Sequence, residues 1–335
     1  MNLKLLLKRG ALLAAANWPT VAIQFVAETT FQVLVAIPIL GAAVLLSLVV
    51  GLDLRDLLQG GLRDIATRIA GTLTAEPVAL VSFSVAFGIA LVGASVLMCL
   101  AKGGVLDILL AAHESAGAFE VEPISIDTIE PAACFTLQRY IDGCGRLFKP
   151  YLGLGVALFV AYAVTAAVYV AFVVYGYRAA SGVFDVIALT FMAAVAAFVL
   201  IVWITLVNFF YLLMQIAMAA DKLGVSDGFR AVASFVRAEF RVLGKIFLMI
   251  LGIEVGATLV SALAWSGLGL IAFVPLVGLA IFPLQIVALV VRGLAFAYIG
   301  LSAASSYLTL YRREPRAVER HLGVIAPPES DSAAH

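Results

Sequence analysis

Uncharged runs long enough to cross a bilayer recur along the chain at 29–52, 77–101, 150–177 and 186–220. A spanning helix needs about 20 mostly apolar residues, because the hydrocarbon core is about 30 Å thick and a helix rises about 1.5 Å per residue. The 66 residues of 246–311 carry only Glu254 and Arg292 as charges. They suit two more spans, divided between Trp265 and Pro283, where "WSGLGLIAFVPLVGLAIFP" supplies glycines and two prolines. That divide is itself apolar, so its turn either re-enters the membrane or lies in the interface. The pattern predicts an all-α polytopic membrane protein with six transmembrane helices in three hairpins.

The segments between the runs have a helical period of their own. In "DGFRAVASFVRAEFRVL" (227–243), Phe229, Val232, Ala233, Val236, Phe240 and Leu243 share one face. Arg230, Ser234, Arg237 and Arg241 fall opposite. This is an amphipathic helix with a basic side, of the kind that lies in the membrane interface. Arg230, Arg237, Arg241 and Lys245 are its candidate lipid-contacting residues. Residues 133–148 behave similarly, with Leu137, Tyr140, Ile141, Cys144 and Phe148 on one stripe and Arg139, Asp142 and Arg146 off it. The N-terminal "MNLKLLLKRGALLAAANWP" stands in the same relation to the first span. Lys4, Lys8 and Arg9 interrupt its leucines, so it reads as a retained amphipathic helix rather than a signal peptide.

The chain therefore reads as one membrane domain, 1–313, built from three approximate units at 1–101, 131–220 and 227–311. Each is an amphipathic helix followed by a transmembrane hairpin. Sliding the third unit over the first by 226 positions sets Glu254 on Glu28, while the second unit has Leu158 at the matching place. Other pieces do not repeat. Residues 53–70 line up Leu54, Leu57, Leu58, Gly61, Leu62, Ile65 and Ile69 as a surface helix with mixed charge. Residues 103–130 form a partly acidic connection, with Glu114, Glu120, Glu122, Asp127 and Glu130 toward its end. Residues 314–335 have the composition of a disordered tail.

Composition strengthens the membrane reading: 64% of the 335 residues are hydrophobic and 13% charged, with a mean hydropathy of +1.11. Soluble domains are typically about half apolar and about a quarter charged. The net charge of zero says little about partners, but the placement of the bases does. With six spans, the N-terminus, 102–149, 221–245 and the C-terminus share one side and hold 16 of the 21 Lys and Arg residues. The opposite side holds Arg55, Arg63, Arg68 and Arg178, and Arg292 lies between them. The bias puts both termini in the cytoplasm of a bacterial cytoplasmic membrane. The three cysteines, Cys99, Cys134 and Cys144, make no CxxC pair and read as packing residues.

Catalytic patterns are missing: no HExxH, GxSxG or P-loop motif occurs. His113 lacks a second ligand at metal spacing, and His321 and His335 sit in the tail. The expectation is a non-enzyme without metal or cofactor and with no nucleic-acid partner. Its partners would be the bilayer, anionic lipid headgroups, and another membrane protein or a second copy. The intramembrane charges Glu28, Glu254 and Arg292 form the one candidate polar site, since a charge at that depth usually needs a partner or a wet cavity. They support an alternative, a small-solute or ion permease. Gln24, Gln32, Asn208, Gln215 and Gln285 are expected to bond across helices.

The order of basic amphipathic helix and hairpin, repeated three times, with the join "DKLGVSDGFRAVASFVRAEFRVLGKIFLMIL" (221–251), resembles a group of bacterial six-span membrane protein families. They include the membrane domain fused to some bacterial glycerophosphodiester phosphodiesterases. No catalytic barrel is attached here, so none of that enzyme's residues carries over. The resemblance implies a membrane-embedded accessory module rather than a hydrolase.

Overall fold

The computed structural model describes residues 3–50, 77–117, 129–179, 182–272 and 277–313. Its helices are α1 (Leu3–Ala16), α2 (Trp18–Val50), α3 (Pro77–Ser115), α4 (Leu137–Ala179), α5 (Val183–Asp221), α6 (Val225–Ala272) and α7 (Val277–Arg313). A single 3-10 turn, Glu130–Ala132, precedes α4, and no strand occurs among the described residues. The helix expected at 53–70, residues 118–128 of the acidic connection and the tail lie outside the described residues, while 103–115 of that connection continue α3 as helix. Two compact units divide the chain, Met1–Ala22 with Gly103–His335, and Ile23–Lys102.

Six helices contain a stretch long and apolar enough to cross a membrane: Trp18–Gly41, Val81–Ser115, Leu137–Ala179, Phe184–Asp221, Val225–Gly267 and Pro283–Arg313. The protein is an all-α, multi-pass membrane protein. The first stretch starts at Trp18, earlier than the run beginning at 29, because Glu28 does not interrupt α2. The amphipathic segments also differ from the expectation of separate helices, since two of them are the opening turns of much longer helices. α4 runs for 43 residues, about 64 Å at 1.5 Å per residue, roughly twice the hydrocarbon thickness. A large part of it must therefore stand outside the lipid. The three units differ in how the amphipathic segment leads into the span. Asn17 separates α1 from α2. Pro150 lies inside α4, where its ring crowds the preceding turn and it offers no N–H. Glu239 leaves helical geometry inside α6, at φ −111° and ψ 23°.

In the larger unit the buried core gathers at the end of the helices that carries the N-terminus and Arg313. It comprises Leu6, Leu13 and Ala14 of α1, Val105 to Ala112 along α3, Leu147 to Leu154 of α4, Leu213 to Ala220 of α5, Ala231 to Ile250 of α6 and Ala297 to Tyr311 of α7. The contacts run in cyclic order. α1 lies between α7 and the end of α3: the Tyr298 hydroxyl donates to the Ala11 carbonyl at 3.0 Å, and Leu13 packs on Ala112, Ala116 and Ala132. The first arm of α4 lies between α3 and α5. Arg146 pairs with Asp107, Gly104 faces the Tyr140 ring, and the Tyr151 hydroxyl donates to the Gln215 carbonyl at 2.8 Å. The first arm of α6 lies between α5 and α7, with Phe229 on Phe210 at 5.2 Å between ring centroids and Phe235 on Tyr311 at 5.2 Å. Each arm thus bridges the ends of two long helices, and the third arm returns to the helix that α1 grips.

Glycine makes the closest of these approaches. A Cβ on Gly10 would stand 2.5 Å from the Ser302 carbonyl oxygen and 2.9 Å from the Ser306 nitrogen. A Cβ on Gly143 would stand 2.6 Å from the Asp107 Cβ. The facing atoms are backbone at Gly10 and the root of a side chain at Gly143, so neither position has room for a Cβ.

The spans themselves bury little. None of the residues in the most apolar windows of Leu137–Ala179 and Phe184–Asp221 is buried. Lipid tails are as apolar as leucine, so exposure there carries no hydrophobic penalty, and polar bonds hold the hairpin instead. Along α4 and α5 the Tyr162 hydroxyl donates to Asn208 Oδ1 at 2.5 Å, and Trp203 Nε1–H donates to Thr165 Oγ1 at 3.2 Å. Near the turn, Tyr177 and Thr190 meet at 2.9 Å. Thr190 spends its proton on the Val186 carbonyl, so Tyr177 is the donor of that pair.

Candidate functional site

The three intramembrane charges expected as a site have different surroundings. Glu28, on α2, is half-buried and accepts a 2.6 Å hydrogen bond from Gln24 Nε2, one turn earlier on the same helix. In the same unit, Lys102 on α3 lies within electrostatic reach of its carboxylate. Glu28 therefore has a cationic neighbour that the sequence pattern did not mark, because Lys102 reads there as a boundary base of the second span.

Glu254, half-buried on α6, is different. Among the described residues no ion pair or side-chain hydrogen bond holds its carboxylate. Buried Tyr307 on α7 lies within electrostatic reach of it. Arg292 is exposed on α7, with its guanidinium carbon 5.6 Å from the Phe296 ring centroid, a cation–π contact within its own helix. The rings of Phe247 and Tyr307 both pack on Phe209, at 4.9 Å and 5.3 Å, which sets residues 247 and 307 at one level. From that level Glu254 lies seven residues along α6 and Arg292 fifteen along α7 in the same direction. At 1.5 Å per residue they differ in depth by about 12 Å. The structure does not bring them together.

The basic residues expected on the lipid-contacting side of α6, Arg230, Arg237, Arg241 and Lys245, are all exposed. The apolar side is divided. Val232 and Leu243 are buried, whereas Phe229 and Phe240 are exposed, and Ala231 and Phe235, outside the expected stripe, are buried as well. Of the glutamines and asparagine expected to bond across helices, Asn208 does so. Gln24 bonds within α2. Gln215 offers only its backbone carbonyl, to Tyr151.

Two arginines hold helix ends that the sequence did not connect. Arg9 is buried, and its guanidinium donates to the carbonyls of Gly117 at 2.8 Å, Ala116 at 3.1 Å and His113 at 3.3 Å. These carbonyls belong to the final turn of α3 and the residues just beyond it. They lack partners along the helix and sit at the negative end of its dipole, so a cation there is doubly favoured. Arg312 does the same for α5, donating to the Ala220 carbonyl at 3.0 Å, with Glu114 at 3.3 Å and Asp221 at 3.9 Å. The Tyr311 hydroxyl donates to Asp221 at 2.5 Å. Both act as clamps between helix ends.

Among the described residues no group of three or more His, Cys, Asp or Glu side chains stands together as a metal site, and Cys99, Cys134 and Cys144 form no disulfide. The chain matches no family model, no curated protein and no solved structure.

Proposed function

We propose that this protein is a non-catalytic module of the bacterial cytoplasmic membrane, with both termini in the cytoplasm, that works through its membrane and interfacial surfaces as a structural, accessory or partner-docking element. The observation that carries the reading is the contrast between the packed, clamped core at the basic end and the spans, whose apolar windows in α4 and α5 bury no residue. A rigid base that holds uncovered helices in lipid is suited to present those helices to a membrane partner or a second copy. The Lys and Arg bias supports the orientation. The resemblance to accessory membrane domains points the same way.

The permease alternative has one supporting feature, the lone Glu254 carboxylate, but Arg292 is not beside it. Reconstitution separates the two readings. In proteoliposomes under a pH gradient, the module reading expects no proton-coupled flux from either the wild type or Glu254→Gln. Folding of the variant should be unimpaired, because no hydrogen bond or ion pair to the carboxylate is lost. A pH-dependent flux in the wild type that disappears in Glu254→Gln would establish the permease instead.

A further inference from the structure

The opening arms of α4 and α6 share an arrangement that the apolar stripes alone do not reveal. On each arm the apolar face is split lengthwise. One half faces the core: Gly143 and Leu147 on α4, Ala231, Val232 and Phe235 on α6. The other half faces outward, with Leu137 65% and Ile141 53% exposed on α4, and Phe229 56% and Phe240 69% exposed on α6. At 100° per residue, the order around both helices is the same: core face, outward apolar edge, then charged edge. Each arm continues directly into a long apolar helix able to span a membrane.

The charged edges differ between the arms. On α4, Arg146 is paired with Asp107, Arg139 donates to the Cys134 carbonyl, and Asp142 adds an opposing charge that accepts from Gln138. On α6, Arg230 has Asp227 at 3.7 Å. Among the described residues no carboxylate lies within ion-pair distance of Arg237, Arg241 or Lys245. All three are exposed. Spacings of four residues set 237, 241 and 245 about one turn apart along one side.

We infer that the outward side of the α6 arm is a seat for anionic phospholipid: Phe229 and Phe240 enter the top of the acyl region, while Arg237, Arg241 and Lys245 hold the headgroup phosphates. Guanidinium matches a phosphate diester through paired N–H donors, and an aromatic flank beside bases is the arrangement of interfacial anchors. The α4 arm, with Arg139 and Arg146 already engaged, Asp142 beside them and Lys149 left as a single base, has the same apolar edge and no such preference. This inference deepens the module reading by naming one class of partner, and it rests on that reading for its orientation. Its test requires neither flux nor a protein partner, so the two can fail separately.

The test uses the purified full chain in mixed micelles containing equal amounts of phosphatidylglycerol and phosphatidylcholine, with retained lipid counted by native mass spectrometry. Wild type should retain phosphatidylglycerol preferentially. Arg237→Gln/Arg241→Gln/Lys245→Gln should lower that preference by at least ~10-fold, since each base near an anionic surface contributes roughly fivefold. Arg139→Gln/Lys149→Gln should leave it within about twofold, a change below the contribution of one base at an anionic surface. Arg237→Lys/Arg241→Lys should keep most of it, which also shows that the arm still folds. Three results would overturn the inference: an unchanged ratio in the triple variant, an equal loss in the α4 variant, or displacement of the retained lipid by excess inorganic phosphate.

Discussion

Gly10→Val should prevent α1 from docking on α7 and cost about 3 kcal/mol or more, at the upper end of overpacking penalties. A Cβ at that position already meets the Ser302 carbonyl oxygen and the Ser306 nitrogen at 2.5 Å and 2.9 Å. Those are backbone atoms and cannot turn aside as a long side chain can. Relief requires moving α1 outward, and Arg9 would then leave the carbonyls of His113, Ala116 and Gly117. The variant should unfold at lower temperature in detergent, with fast amide exchange over 3–16 as the local signature. Gly252, in α6, has nothing within 4 Å of its Cβ position. Gly252→Ala should therefore be neutral or slightly stabilising through helix propensity. Equal stability of Gly10→Val and wild type would mean that α1 does not lie where the structure puts it.

The second large effect belongs to Asn17, whose side chain is fully buried. Its amide donates to the carbonyls of Leu13 at 3.0 Å and Ala132 at 2.8 Å, and its Oδ1 accepts the Cys134 N–H at 3.0 Å. One residue thus completes the end of α1 and ties it to the turn before α4. Its backbone carbonyl accepts from Thr20, both N–H and hydroxyl, as α2 begins. Asn17→Ala removes three side-chain hydrogen bonds, each worth about 1 kcal/mol net, while the Cys134 N–H keeps the Ala132 carbonyl and the Leu13 carbonyl keeps the backbone N–H of residue 17, so a loss of about 3 kcal/mol is expected from thermal unfolding. Asn17→Asp should be worse than alanine. It keeps the acceptor for Cys134, loses both donors, and places a negative charge against two carbonyl oxygens. The order wild type, Ala, Asp in falling stability is the check. An aspartate variant as stable as wild type would contradict the assigned bonds.

The six spans were legible because lipid imposes a simple requirement on sequence, about twenty apolar residues without charge. The break before the first span was partly legible, since Asn17 is a helix-starting residue type, whereas the kink at Glu239 has no such mark. The core was less so. Periodicity identifies an apolar face but not what covers it, and on α6 the same face is shared between protein at Leu243 and the outside at Phe240. Arg9 looked like an interfacial base. Its position three residues after Leu6 and four before Leu13 placed it on the buried stripe, and that was the available signal. The neighbourhood of Glu28 and Lys102, and the clamp of Arg312 on Ala220, join residues 74 and 92 positions apart. No local pattern encodes such pairings. Glu254 and Arg292 are both charges in apolar sequence, which suggests a pair, but helix register sets them at different depths.

The core at the basic end explains how the chain can leave its spans uncovered and still be ordered: stability comes from buried glycine contacts, helix-end clamps and the cyclic seating of the arms. The proposed role turns on what the uncovered spans meet. Photo-crosslinking in intact membranes tests it most directly, with a photoreactive residue placed in turn at Phe159, Phe198, Leu259 and Val291, all exposed, and at buried Leu213 as the control. A protein adduct of one discrete mass is expected from one helix face and not from its opposite face, reproduced reciprocally when the adducted protein carries the probe. Adducts to lipid alone from all four span positions would contradict it.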